Sequence, residues 1–291
     1  MADKDLFRLP PRDGIAPAYR RWGGAVPPRA VMVVAHGMGE HSGRYRDPLN
    51  ALIDEGVLVY AIDHRGHGHT AWPDLPFGDF GPGGFAGVVE DLLSLVDHAR
   101  AEHPALPLVL FGHSMGSMIA QAFLLAHAER IDGLILCGPA AVDVIAAAAM
   151  RDPGIFASLN QPFEPARTPF DWLSRDPDQV DAYLADRFCG FSLVPGSFAD
   201  LLGQGAGLAD LARLARIPHD LPVLVISGEM DPLNVQLNAL VPLVERYRAA
   251  GLRIVTRTYP EARHEILNEI NRAEVLSDIA QWLDGVGLRA A

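Results

Sequence analysis

Hydrophobic residues in this chain gather into short apolar runs, separated by longer stretches in which apolar and polar positions alternate with helical spacing. The runs lie at 30–35, 57–62, 108–111, 134–137, 223–226 and 252–256. Runs that are continuous, without the in–out alternation of a half-exposed strand, predict strands buried on both faces, as in a parallel sheet covered by helices. Amphipathic stretches at 46–55, 85–103, 117–128, 233–250 and 270–283 supply those helices. Repeated strand–helix order predicts an α/β fold with a doubly wound, mostly parallel sheet. In such a sheet ligands bind beyond the C-terminal ends of the strands. Polar clusters follow the runs, so they are expected to converge on that one edge.

One stretch breaks the rhythm. Between Ala140 and Arg216 no buried-strand run occurs, while proline and aromatic residues recur, among them Phe156, Pro162, Phe163, Trp172, Tyr183 and Phe198. The stretch falls between two strands, so it reads as a helical cap inserted over the strand ends, its apolar inner face lining a substrate pocket. The expected organisation is a core from 1–139, the cap insertion at 140–216 and the rest of the core at 217–291. Ala146–Ala149 is expected as a helical turn, not a linker.

Length and composition change this picture little. With 291 residues, 49% hydrophobic and 21% charged, the chain has ordinary globular composition and enough material for a large core. A formal net charge of −12, with no basic run, argues against a nucleic-acid partner. Two cysteines, Cys137 and Cys189, form neither a disulfide framework nor a zinc pattern and are expected to stay reduced. The N-terminus is charged and lacks the apolar stretch of an export signal, and the most apolar window, 131–150, is interrupted by Asp132, Pro139 and Asp143. A cytoplasmic protein without a transmembrane segment is expected. Transient membrane contact and the oligomeric state stay open.

The chemistry is concentrated after the run at 108–111, where Gly112-His113-Ser114-Met115-Gly116 leads into a helical stretch. Strand, tight turn and helix around Gly-x-Ser-x-Gly describe a nucleophile elbow. A serine needs a base, and the base needs a group that orients it. His264 follows the last run and precedes the last amphipathic stretch, and Asp231 ends the turn after the run at 223–226. The order Ser114, Asp231, His264 is that of an α/β-hydrolase triad. Asp143, also placed after a strand, is the competing acid. Two backbone donors are needed for the oxyanion. Met115 N–H is one, and Met38 N–H, between Gly37 and Gly39 after the first run, is the other. Glu40 and Arg44, four residues apart, are expected to pair and brace that loop. His36 and His113 are assigned structural hydrogen bonds. The grouping His64, His67 and His69 lacks the acidic ligands of a metal signature and is read as a turn packed under the elbow, so neither metal nor other cofactor is expected.

The runs His36-Gly37-Met38-Gly39-Glu40-His41-Ser42-Gly43-Arg44-Tyr45, Asp63-His64-Arg65-Gly66-His67-Gly68, Gly112–Gly116, Asp231-Pro232 and His264-Glu265 resemble the α/β-hydrolase superfamily. More narrowly they resemble its monoacylglycerol lipase and lysophospholipase branch, often grouped with the serine aminopeptidases. The likeness spans about 15–285 and is weakest in the cap. His69 departs from it, standing where many relatives carry a small residue or arginine. The resemblance implies the same triad and the same oxyanion donors, with a lipid monoester as substrate. A small-ester carboxylesterase would share every residue named. A proline-directed peptidase would carry His-Gly-Gly-Pro-Gly and a tryptophan after the serine, both missing here. Ser114 excludes hydrolases with an aspartate nucleophile, and a non-catalytic binding protein on this scaffold would have lost a member of the triad.

Overall fold

The computed structural model describes residues 4–71, 74–152, 154–236 and 238–287. Eight strands form one sheet: β1 (Leu6–Arg8), β2 (Ala18–Trp22), β3 (Ala30–Ala35), β4 (Val57–Ile62), β5 (Leu108–His113), β6 (Gly133–Cys137), β7 (Pro222–Gly228) and β8 (Arg253–Tyr259). Their order is β1-β2-β4-β3-β5-β6-β7-β8. From β4 to β8 every pairing is parallel, while β1–β2 and β2–β4 are antiparallel. The helices are α1 (Asn50–Asp54), α2 (Gly68–Ala71), α3 (Gly84–Glu102), α4 (Met115–His127), α5 (Val142–Arg151), α6 (Pro177–Ala185), α7 (Pro195–Gly203), α8 (Gly205–Leu208), α9 (Leu211–Leu214), α10 (Pro232–Val235), α11 (Leu240–Ala249) and α12 (Arg272–Gly285).

Each central strand feeds two cores, because successive side chains point to opposite faces. Val31, Val33, Leu108, Leu110, Val223 and Val225 pack under α3, α4 and α11. Met32, Val34, Val109, Phe111, Leu224 and Ile226 face α1 and α12. Burial on both faces explains why these runs carry no polar position. Fully burying each Val, Leu or Ile side chain is worth about 1.5–3 kcal/mol.

Departures from the sequence expectation concern the sheet edges and helix ends. The pair β1 and β2 is not foreseen by the run pattern: Ala18-Tyr19-Arg20-Arg21-Trp22 carries two arginines, and Arg20 is buried against Ser42 and Asp63. At the other edge β8 is largely exposed, since it has a neighbour on one side only. The amphipathic stretch at 233–250 divides into α10 and α11, with Asn238 at positive φ between them. In the stretch 46–55 only α1 is α-helical, after a 3-10 turn at Ser42–Tyr45.

Between β6 and β7 lie α5 to α9 and two 3-10 turns, with no strand among the described residues. Ala146–Ala149 falls within α5. Here α5 packs on α7 and α8, and α7 and α8 reach down to α3 and α4. No described helix is long and apolar enough to cross a membrane.

Candidate active site

Ser114 is the single residue between β5 and α4, at φ +52° and ψ −119°. A non-glycine residue at positive φ costs about 1–3 kcal/mol and persists only where its surroundings enforce it. Two glycines do so here. A Cβ on Gly116 would collide with the Ala35 carbonyl oxygen, and one on Gly112 would come within 2.5 Å of the Gly116 oxygen. Strand, turn and helix therefore approach more closely than any other residue permits. Ser114 N–H donates to Cys137 O (3.0 Å), and Ser117 Oγ donates to Ser114 O (2.6 Å). Ser114 lines a cavity of ≈370 Å³.

Asp231 and His264 reach the same place from neighbouring strands. The last parallel pair of β7 and β8 is Gly228↔Tyr259, so the two loops leave the sheet side by side. Gly228 is required there, because a Cβ would strike the Ala262 and Arg263 carbonyls. Asp231 caps α10, its Oδ1 accepting Leu233 N–H at 3.0 Å. Its Oδ2 lies 2.8 Å from His264 Nδ1, with both side chains buried. An Nδ1–H donated to that carboxylate leaves Nε2 as the basic nitrogen. His264 Nε2 has no hydrogen-bond partner among the described residues and lies in the ring that lines the cavity with Ser114. Burial by itself would lower the His264 pKa. The Asp231 charge and hydrogen bond, helped by Glu265 and Glu40, outweigh it and raise the imidazole above its ordinary value.

The loop after β3 brings Met38 to the cavity wall beside Met115. Neither amide donates a hydrogen bond to a described residue. A buried charge network stands behind this loop. Arg44 donates to Glu40 Oε2 (2.8 Å) and, through two nitrogens, to both oxygens of Glu265 (2.7 Å each). Glu40 Oε1 accepts Gly37 N–H (2.6 Å) and the Tyr45 hydroxyl (2.9 Å). Burial opposes the ionised form of Glu265, but Arg44 outweighs it and holds this carboxyl down at about 2. The expected Glu40–Arg44 pair is present, and Glu265 extends it to the residue next to His264. Sequence reasoning missed Glu265 and Tyr183 as site residues. His264-Glu265 was visible as a dipeptide, whereas nothing local marks Tyr183.

The remaining candidates sit elsewhere. Asp143 is locked to Arg246 by two bonds of 2.6 and 2.7 Å, on α5, and does not line the cavity shared by Ser114 and His264. Asp231, not Asp143, therefore meets the histidine. His36 has the structural bonds expected of it: Nδ1 with Gly37 O (2.7 Å), Nε2 accepting His64 N–H (3.1 Å). His113 lines the cavity with its Nδ1 unpartnered among the described residues, its ring 4.9 Å from that of His264. His64 and His67 pack on His36 at 4.4 and 5.1 Å, at the end of β3. His69 points away, against Phe188. Among the described residues the grouping with metal-ligand spacing is His41, Asp186 and Cys189, where His41 and Asp186 are already hydrogen bonded at 2.9 Å.

Much of the cavity lining is apolar, with Met118, Ile145, Phe156, Leu159, Phe198 and Leu201. Phe156, Phe198 and Leu202 also line a wider cleft of ≈1160 Å³ that runs beside α5 and α7. Its polar groups include Glu40, His113 and Glu265. The lining thus offers both hydrocarbon surface and polar groups to a ligand.

Comparison with known proteins agrees with this architecture. Residues 26–271 match the sequence profile of the family described as serine aminopeptidase, S33. A monoacylglycerol lipase of Mycolicibacterium smegmatis is 32% identical over 273 residues, covering 93% of each chain. A monoglyceride lipase of Homo sapiens is 29% identical over 290 residues, covering 92% of this chain and 89% of the relative. Among solved structures, a thermostable carboxyl esterase from Bacillus coagulans in complex with glycerol superposes with a TM-score of 0.85 at 27% identity, covering 97% of this chain and 98% of that one.

Proposed function

The chain belongs to the serine aminopeptidase S33 family of hydrolases, and from that premise we propose a serine ester hydrolase that cleaves lipid monoesters, of the monoacylglycerol or lysophospholipid kind, through an acyl-enzyme. One observation carries the reading. A strained Ser114 and His264, whose Nδ1 is paired with buried Asp231 and whose Nε2 has no partner among the described residues, line a single, mostly apolar cavity with a few polar groups.

In this mechanism Ser114 Oγ attacks the ester carbonyl while His264 Nε2 takes its proton. Asp231 holds the imidazole tautomer and offsets the imidazolium charge. The amides of Met38 and Met115 donate to the oxyanion of the tetrahedral intermediate; each such donor is worth about 10²–10³ in rate. His264 then protonates the departing alkoxide. Water enters, gives its proton to His264 and attacks the acyl carbon, and Ser114 leaves with the proton returned. The segment at 140–216 acts as a cap, with Phe156 and Phe198 on the acyl side. The likeness to the Bacillus coagulans esterase favours a second reading, a carboxylesterase for small esters.

The test is hydrolysis of an ester panel that includes monoacylglycerol, lysophosphatidylcholine and acetyl esters, by the wild type and by Ser114→Ala. The variant should fold and lose several orders of magnitude in turnover, and a fluorophosphonate should label the wild type at Ser114 alone. Normal turnover in Ser114→Ala would overturn the mechanism. Preference for acetyl esters would select the second reading.

A further inference from the structure

The backbone groups flanking Met38 are held on both sides, and Gly37 C=O is also bonded to His36 Nδ1 at 2.7 Å. Gly37 N–H donates to Glu40 Oε1 at 2.6 Å. On the other side Gly39 C=O accepts two bonds, from the Tyr183 hydroxyl at 2.8 Å and from Gly190 N–H at 3.0 Å. Glu40 belongs to the loop itself. Tyr183 and Gly190 belong to the segment inserted between β6 and β7, and Tyr183 lies 144 residues further along the chain. Gly39, at φ +66°, lets that segment sit directly on the loop, because a Cβ would collide with the Phe191 carbonyl.

Tyr183 is itself tightly placed. It is 5% exposed, its ring lies 4.9 Å from the Arg44 guanidinium and 5.1 Å from Phe170. Burial, together with the nearby Glu265, pushes the phenol well up, so the hydroxyl stays a donor through the working pH range. Arg44, beneath the ring, is the cation held by Glu40 and Glu265. The hydroxyl, the guanidinium and the two carboxylates thus form one continuous link from α6 to the oxyanion loop and on to the residue after His264.

We propose that Tyr183 is a positioning residue: by holding the Gly39 carbonyl it aims the Met38 amide at the reacting oxygen, so that the oxyanion hole is complete only while α6 is seated on the loop. The inference rests on the ester-hydrolase reading above. An oxyanion donor acts only when preorganised, and an error of about 0.5 Å or 10–20° is enough to weaken it. His36 on Gly37 O and Glu40 on Gly37 N–H fix the near side of the Met38 amide, so Tyr183 acts on its far side, where loss of one of the two bonds to Gly39 O lets the amide tilt.

Tyr183→Phe isolates the hydroxyl. The ring, its stacking on Arg44 and its packing remain, and Gly39 O keeps the bond from Gly190 N–H, so no buried acceptor is orphaned. Steady-state kinetics on an acetyl and a decanoyl ester, the rate of fluorophosphonate labelling and Tm are measured side by side. The expected result is a loss in kcat of about tenfold on both esters. Labelling should slow by a similar factor, with KM and Tm unchanged. An unchanged kcat overturns the proposal, whether or not Tm falls. A loss confined to KM, or to the decanoyl ester alone, also overturns it and marks Tyr183 as a lining contact. If the wild type hydrolyses no ester, it is the underlying reading that fails, and this is seen before the variant is made.

Discussion

At the scale of single residues, the electrostatics of His264 decide how the site responds to pH. Its Nε2 must be neutral to accept a proton, and Asp231 raises the imidazole above its ordinary value despite burial. The acid limb of kcat/KM should therefore have its midpoint above about 6.5, with activity falling as pH drops through it. Asp231→Asn removes the charge and leaves burial to dominate, so the limb should move to lower pH. Turnover should drop by about 10⁴-fold, because the amide favours the wrong tautomer. Asp143→Asn, whose carboxylate is bonded to Arg246 and does not line the cavity of Ser114 and His264, should change turnover little. A pH–rate profile of the three proteins checks both statements; an unshifted limb in Asp231→Asn would remove this aspartate from the mechanism. Both acids follow strands in the sequence. What separated them was the parallel register of β7 and β8, which no local pattern states.

At the scale of elements, the loop after β3 depends on a cation between two buried carboxylates. Removing one partner of a buried charge group leaves the rest uncompensated, at a cost of about 3–5 kcal/mol. Arg44→Met should destabilise the fold by that order in urea unfolding. The pair Arg44→Met with Glu265→Gln should recover part of the loss, since one stranded charge is gone. Full additivity of the two changes would mean that they do not interact. The sign of the pH effect follows from Glu265. Its carboxyl titrates at about 2 in the fold against an ordinary 4.5, so its contribution is present above the ordinary value and is lost as pH falls toward 2. Half of this arrangement was legible, because Glu40 and Arg44 stand four apart in one segment. Glu265 lies 221 residues from Arg44, a distance that only folding closes.

At the scale of the whole molecule, the insertion between β6 and β7 supplies much of the cavity lining. Its aromatic and aliphatic side chains, Phe156, Phe198 and Leu201 among them, line the cavity that Ser114 and His264 share. Each methylene buried there contributes about 0.8 kcal/mol, which is three- to fourfold in kcat/KM if it is realised in the transition state. Specificity constants should climb by about that factor per methylene from acetyl upward until the cavity is full, and then level. A profile that is flat or falls between acetyl and octanoyl would exclude an acyl role for this wall. The wider cleft along α5 and α7 shares Phe156 and Phe198 with the cavity wall.

The sequence by itself determined the parallel core and the elbow, and narrowed the candidate acid and base to a few polar residues at strand ends. These are written in short range: buried strands as unbroken apolar runs, the elbow as glycines two residues either side of Ser114, the acid and base as polar residues just past strand ends. The edge strands escaped because a strand with one neighbour need not be apolar, as Arg20 and Arg21 in β2 and the exposed face of β8 demonstrate. Only the tertiary structure decided which aspartate faces His264, that Glu265 completes the Arg44 network, and that Tyr183 reaches the Gly39 carbonyl. Each of these is a contact between residues far apart in the chain. Local periodicity records which face of an element is buried, but the partner across that face is selected by register and loop path, and these exist only once the sheet has formed.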